Sequence, residues 1–422
     1  LEQYYGFKHQ DAAKCIIDTH SIKRINNVPY LFDGKIYRLD NMRAKIMDTI
    51  TNLKKHEINE IFDYLMTTED GLLNFNCRDE DLYEFIGFNN GVWSNKTGQL
   101  YPYSPDRICF FKLPIDYNPN AVSKVMDDFL DDVSCHDPNL RKLLEEMVGF
   151  CLFPRNEKGK SFFLIGSGAN GKTTFLKVVK AMFGDSNVSS LDFEDLNKQF
   201  FTHLLIGKLV NIGSDINSKY ATGANLFKKL VTGDPVSVDI KFKTPVEFSN
   251  TSKFIFAGNR FPRTDDTSDG FMRRLVIIPF LAKFKNDSED SEIIDKLTTK
   301  EALERFAALA VQGYWRMKSE GFTMSESVEE MKRQYEIQSN PIVEFLNTLG
   351  DNDEEIDEFL ENTTAKDVYS CHYELWIREN NYKPLSSGMF TVEMKGKGFE
   401  KKQMWSKKLN KTIWAYKRVK SY

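Results

Sequence analysis

Residues 166–173 read Gly166, Ser167, Gly168, Ala169, Asn170, Gly171, Lys172 and Thr173, a G-x-x-x-x-G-K-[ST] run followed by Thr174. That spacing answers one physical problem, the holding of a triphosphate. Glycines let consecutive backbone N–H groups curl into a concave cradle, a lysine brings a mobile cation to the β- and γ-phosphates, and a threonine hydroxyl ligates Mg²⁺. Such a loop has to sit between a strand and the N-terminus of a helix, where unpaired N–H groups add a field that favours anions. The flanks meet that requirement. Phe162 to Ile165 is a short apolar run of the buried-strand type, and Thr174 to Val179 reads as a helix beginning after the loop. ATP and Mg²⁺ are therefore the expected ligands of residues 166–174, and a plain glycine-rich turn would not carry Lys and Thr at both chemical positions.

A nucleoside triphosphatase needs a further acid at the end of a neighbouring strand, to complete the Mg²⁺ shell or polarise water. Lys208 to Ser214 reads as a strand that delivers Asp215. A third strand, Phe254 to Gly258, delivers Asn259, a neutral amide suited to hydrogen-bond a γ-phosphate without competing for the metal. Arg273 and Arg274 precede the strand Leu275 to Pro279. An arginine at the mouth of that strand is poorly placed for its own nucleotide and suited to reach a neighbouring copy's, where such a finger supplies on the order of 10³–10⁵ in rate. Between Asp215 and Asn259 the alternation of Val236 and Val238 predicts a strand leading to a hairpin tip at Lys241, Phe242 and Lys243. A Lys–aromatic–Lys tip fits single-stranded nucleic acid, with ammonium groups on phosphates and the ring on a base or sugar.

The rest of the chain bounds this reading. At 422 residues it is long enough for two or three domains, and its 41% hydrophobic and 28% charged content is ordinary for a globular protein. No apolar run is long enough to span a bilayer. Cys15, Cys77, Cys109, Cys135, Cys151 and Cys371 are scattered without a C-x-x-C pair, which argues for a reducing compartment and against structural zinc. The six histidines are equally dispersed, so no metal beyond Mg²⁺ is suggested. Net charge is −4, but its distribution is uneven. Asp351, Asp353, Glu354, Glu355, Asp357, Glu358 and Glu361 form an acidic run that reads as a linker. Lys395, Lys397, Lys401, Lys402, Lys407, Lys408, Lys411, Lys417, Arg418 and Lys420 follow, opposed only by Glu400. A basic module of this kind is the electrostatic footprint of a nucleic-acid contact.

Three regions are expected: 1–150, 151–340 and 341–422. In the first, Tyr30 to Arg38 predicts a hairpin turning at Asp33 and Gly34, residues 89–100 predict a second, and Leu140 to Phe153 is apolar at helical spacing. The middle region carries strands with short helices and then a helical stretch at 290–338. The last reads as helix, turn, helix and two strands, with Ser386 or Ser387 as a helix cap.

The order and spacing of these motifs resemble the superfamily 3 helicases of small viruses, phages and plasmids, which are hexameric AAA+ motors. Asp239 to Lys243 is similar to the D-x-K-x-K of parvoviral and papillomaviral replicative helicases, where it marks a DNA-gripping hairpin; the resemblance transfers best to Lys241, because Phe242 stands where those proteins often carry His. It also favours Arg274 over Arg273 as the finger. Gly168 to Leu176 resembles the G-x-N-G-K-[ST]-T-F of poxvirus and phage primase–helicases, as do Asn90 to Trp93 with Thr97 and Gly98, Leu113 to Pro119, and Gly149 to Pro154. Tyr373, Trp376, Asn380 to Tyr382, Leu385 and Phe390 resemble their winged-helix C-terminus. Two departures stand out. Ser214 and Asp215 occupy positions where many members carry two acids, which leaves the water-activating residue unassigned. Members also often carry an upstream primase or primase–polymerase domain, none is visible here, and the chain does not begin with Met.

The expected fold is thus α/β. A P-loop AAA+ core (151–340) with a helical lid follows a mixed, mainly helical collar domain (1–150) and precedes an acidic linker and a basic winged-helix domain (341–422). The expected function is ATP-dependent unwinding in viral, phage or plasmid DNA replication, in the host cytoplasm, by a homo-oligomeric and most simply hexameric ring moving on single-stranded or forked DNA. The competing readings are a replication initiator that assembles on DNA without unwinding it, a small-molecule P-loop kinase, and a DNA-packaging motor.

Overall fold

The structure, a computed structural model, describes residues 8–25, 28–38, 42–67, 73–75, 83–213, 220–221, 224–239, 245–261, 263–264, 268–284, 292–339, 341–380, 382 and 384–419. It divides into two compact units, residues 1–262 with 273–328, and residues 263–272 with 329–422.

The first unit begins with α1 (His9–Thr19), β1 (Ile22–Ile25), β2 (Val28–Phe32) and β3 (Tyr37–Arg38). β2 and β3 form the hairpin expected from the sequence, with Leu31 opposite Arg38. Asp33 makes the turn, its Oδ1 accepting from the N–H groups of Lys35 and Ile36. Ile16 of α1 packs with Ile46 of α2 (Met42–Thr49) and with Ile61 and Leu65 of α3 (Lys55–Thr67). An antiparallel sheet follows, β4 (Phe85–Phe88), β5 (Gly91–Ser94) and β6 (Leu100–Tyr101). α4 (Lys124–Val133) is capped by Ser123, and α5 (Pro138–Cys151) by Asp137.

The centre of this unit is a sheet of β7 (Ser161–Ile165), β8 (Val188–Ser189), β9 (Val210–Gly213), β12 (Lys253–Gly258) and β13 (Leu275–Pro279). These strands are all parallel and lie in the order β13-β7-β12-β9-β8. Every residue of β7, β12 and β13 is buried, the pattern of a sheet covered on both faces. One face takes Phe162 and Leu164 against Phe175, Val178 and Val179 of α6 (Lys172–Phe183). The other takes Phe163, whose ring meets those of Phe193, Phe227 and Phe256; Phe227 belongs to α7 (Ala224–Thr232). β10 (Pro235–Val238) and β11 (Val246–Ser249) form an antiparallel hairpin beside it, with Val236 and Val238 buried. The strand expected from their alternation is present; its tip lies outside the described residues.

α5 crosses α8 (Lys300–Glu320) at backbone contact distance. A Cβ on Gly149 would stand 2.2 Å from the Ala310 carbonyl oxygen, and one on Gly313 would stand 2.6 Å from the Glu145 carbonyl. The fully buried Glu146 locks this crossing, accepting from Arg316 Nε at 2.5 Å and from the N–H and hydroxyl of Thr323 at 2.6 Å each.

In the second unit, Ile342 and Phe345 of α9 (Pro341–Asn347) share a core with Ile356 and Leu360 of α10 (Asp353–Asn362) and with Tyr373, Phe390 and Tyr416. The acidic run is therefore a helix and not a connector. Its Ile356 and Leu360 fall four apart on one face, and Asn352 caps it by accepting from Glu355 N–H. Ser386 caps α11 (Ser387–Gly396), which leads into the antiparallel hairpin of β14 (Phe399–Ser406) and β15 (Lys411–Arg418). Arg418 pairs with Asp353 and Asp357, and Lys417 with Glu361, so the acidic helix partly neutralises the basic strand. Among the described residues, no helix is long and apolar enough to cross a membrane.

Candidate functional site

The glycine loop leaves the C-terminal end of β7 and enters α6, the strand–loop–helix order its spacing requires. Ala169 at φ 47°, with Gly168 at 104° and Gly171 at 82°, bends the backbone through the left-handed region. Gly166 and Gly171 are also required by space. A Cβ on Gly166 would fall 2.2 Å from the Phe280 carbonyl oxygen, and one on Gly171 would fall 2.7 Å from Val133 Cγ1. Gly171 sits at the N-cap of α6, so the first turn of that helix presents its N–H groups beside the loop.

Lys172 is buried, and its ammonium donates to the Gly166 carbonyl at 2.7 Å and to Asn170 Oδ1 at 2.9 Å. Burial lowers its pKa from the usual lysine value. Asn170 is buried in turn, and its amide donates to the Phe280 carbonyl just beyond β13. One amide thus ties the lysine to the sheet.

The loop opens on a cleft of about 1300 Å³ lined by Gly168 to Thr174 and by Asn259. The fit to a nucleotide is specific to this geometry. A cradle of left-handed backbone and glycines that no Cβ could replace lies at a helix N-terminus, with a cation and the exposed Thr173 beside it. Asn259 follows Gly258, which pairs with Ile165, so it stands at the same edge of the sheet as the loop.

The paired arginines stand elsewhere. The backbone N–H and hydroxyl of Ser161 donate to the Arg274 carbonyl at 2.8 and 3.0 Å, and Lys160 donates to the Arg273 carbonyl at 2.6 Å. Ser161 begins β7 and Ile165 ends it. Arg274 is therefore a full strand away from the loop, roughly 16 Å at about 3.3 Å per residue. Of the remaining expected site residues, Asp215 and the tip residues Lys241, Phe242 and Lys243 lie outside the described residues. β9 ends at Gly213, two positions before Asp215.

The cleft has walls that the motifs do not announce. Val125 and Phe129 of α4, with Leu176, Phe284 and Ile293, make an apolar side, while Asp128, Asp132 and His136 line it nearby. The only sequence signal for them is the amphipathic spacing of Met126, Phe129, Leu130 and Val133, which the structure uses for packing. The site is thus built from residues on both sides of position 150.

A family described as "D5 N terminal like" matches residues 10–135 of this chain. A second, described as "Family of unknown function (DUF5906)", matches residues 164–274, a span that runs from the glycine loop to Arg274. The "Putative helicase L207/L206" of Acanthamoeba polyphaga mimivirus is 28% identical over 238 residues, covering 52% of this chain and 24% of its own length. The matched half of the chain spans about a quarter of that relative's length. The "Uncharacterized mitochondrial protein ymf21" of Marchantia polymorpha is 23% identical over 132 residues, covering 28% of this chain and 73% of that protein. Among solved structures, the apo A form of the NrS-1 C-terminal region superposes with a TM-score of 0.56 at 16% identity, over 97% of this chain and 98% of that one. That likeness concerns the fold.

Proposed function

We propose that this chain, similar in its two matched segments to phage and viral primase–helicases, is an ATP-driven replicative DNA helicase of the superfamily 3, AAA+ type, working as a six-membered ring. The observation that carries the reading is the Lys172 cradle at the C-terminal end of β7 together with a pair of arginines at the N-terminal end of its neighbour β13. A chain built this way would hold a nucleotide at one end of its strands and bring Arg273 and Arg274 to the other, where a neighbouring copy's nucleotide would have to lie.

In this proposal residues Gly166 to Thr174 hold the triphosphate, and Lys172 leaves Gly166 and Asn170 to neutralise the β- and γ-phosphates. The apolar wall of Val125, Phe129, Phe284 and Ile293 suits the adenine face. Thr173 and Asp215 would hold Mg²⁺, which supplies charge neutralisation at the phosphoryl group. Asn259 orients the attacking water from the loop's own edge. Arg274 of one copy, with Arg273 as the second candidate, serves the nucleotide of the next. Lys241, Phe242 and Lys243 grip one DNA strand through phosphate contacts, which carry no sequence information. Residues 341–422 act as a winged-helix-like module, and an upstream primase or polymerase domain is the expected partner in the same polypeptide.

The test is unwinding of forked DNA with and without ATP. ATP-dependent strand separation supports the helicase reading. ATP-dependent assembly on DNA without separation moves the reading to an initiator, and duplex-stimulated hydrolysis without separation moves it to a packaging motor.

A further inference from the structure

The hairpin of β14 and β15 carries two large aromatic side chains in an unusual setting. Trp405 is 59% exposed and Trp414 is 53% exposed. The register decides their geometry. Trp405 lies opposite Thr412 and Trp414 opposite Gln403, and directly paired residues project to one face of an antiparallel ladder. The two indoles are therefore diagonal neighbours on the same face, with Lys401 next along it opposite Tyr416. Near the base this face turns into the core, where Phe399 and Tyr416 are buried. The opposite face packs inward toward the tip, with Ile413, Ala415 and Ser406 buried. The outer half of the first face, bearing the two tryptophans with Gln403 and Thr412, is exposed along its whole length.

The tip is braced. Ser406 Oγ donates to Asn362 Oδ1 at 3.1 Å and accepts from Leu409 N–H, and Lys408 N–H also donates to Asn362. Lys407 and Lys408 stand in the turn and Lys401 on the tryptophan face itself, all exposed and none ion-paired among the described residues. Core packing explains neither tryptophan, and an indole pair that served only a fold would be covered.

We propose that this face is a second nucleic-acid site, in which Trp405 and Trp414 stack on successive unpaired bases of a single strand while the surrounding lysines contact its phosphates. Charge complementarity selects the occupant, since the ammonium groups of Lys401, Lys407 and Lys408 beside the indoles repel a basic partner and attract a polyanion. The exposed indole faces select single strands over duplex, because a paired base has no free face to offer. The proposed binding does not depend on ATP.

The experiment is photo-cross-linking of the full chain, without nucleotide, to a thymidine oligonucleotide carrying 5-iododeoxyuridine, with the adducts mapped by mass spectrometry. Adducts on Trp405 or Trp414 are expected. The Trp405→Ala, Trp414→Ala double variant should lose them and bind the oligonucleotide about tenfold more weakly, and the corresponding Phe variant should recover most of the binding. Adducts should persist in the Lys172→Ala protein, so a failure of the motor reading leaves this result intact. Unchanged oligonucleotide binding by the Ala variant overturns the proposal, as does equal competition by blunt duplex. Altered sedimentation of the Ala variant with unchanged cross-linking also overturns it and assigns the face to a second copy of the chain.

Discussion

Lys172 and Arg274 stand at opposite ends of two neighbouring parallel strands, β7 and β13. The lysine sits just after the C-terminal end of β7, and the arginine carbonyl accepts from Ser161 at that strand's first residue. No side chain spans five strand residues, so the two cannot meet on one phosphate within a chain. A shared site between copies is the arrangement in which both would act on the same nucleotide.

Lys172→Ala is expected to abolish ATP hydrolysis while leaving the melting temperature close to that of the parent. Asn170→Ala is expected to be milder. It removes one acceptor for the lysine and the bond to Phe280, so ATP binding should weaken about tenfold, the size of one lost hydrogen bond to a charged group. Nucleotide titration and steady-state hydrolysis check both variants. Wild-type turnover by Lys172→Ala would remove the phosphate assignment.

Lys241→Ala is expected to separate hydrolysis from unwinding. Nucleotide turnover should continue, and strand separation on a fork should fall by an order of magnitude or more. Parallel assays of the two activities decide this, and normal unwinding would move the strand contact elsewhere.

Glu146→Ala should destabilise the first unit by about 3–5 kcal/mol, because it leaves Arg316 and the Thr323 N–H facing a buried gap. Glu146→Gln keeps the shape and part of the hydrogen bonding, and should cost less. Denaturant melts of the two variants give the comparison, and equal melts would mean that the crossing of α5 and α8 does not depend on the charge.

Lys253 carries the clearest pH signature. It is fully buried at the start of β12, donating to the carbonyls of Phe153 and Thr251, and burial lowers its pKa to about 7. Between that value and the ordinary lysine range the unfolded chain binds the extra proton. Stability therefore rises with pH across this window, by up to about 1.4 kcal/mol per unit. Thermal melts from neutral to alkaline pH should show the rise in the parent and a flatter profile in Lys253→Met. The same slope in both proteins would assign the effect to another group.

Much of the sheet and the loop was legible because the signals are local. A buried strand announces itself as a continuous apolar run, and the glycine loop is dictated by backbone conformations that the sequence must encode residue by residue. The cleft wall was not legible. Val125, Phe129, Phe284 and Ile293 come together only when distant segments pack. The acidic run misled because charge density drowned the pair Ile356 and Leu360, whose four-residue spacing makes it a helix. The tryptophan face needed the register of β14 against β15, which composition alone does not give.

The most direct test of the central claim is ATP hydrolysis by a mixture of two inactive proteins, Arg274→Ala and Lys172→Ala. One contributes an intact loop and the other an intact arginine, so mixed rings should recover a fraction of wild-type activity that depends on the mixing ratio. Absence of recovery at every ratio, or full hydrolysis by Arg274→Ala alone, would contradict a site shared between copies.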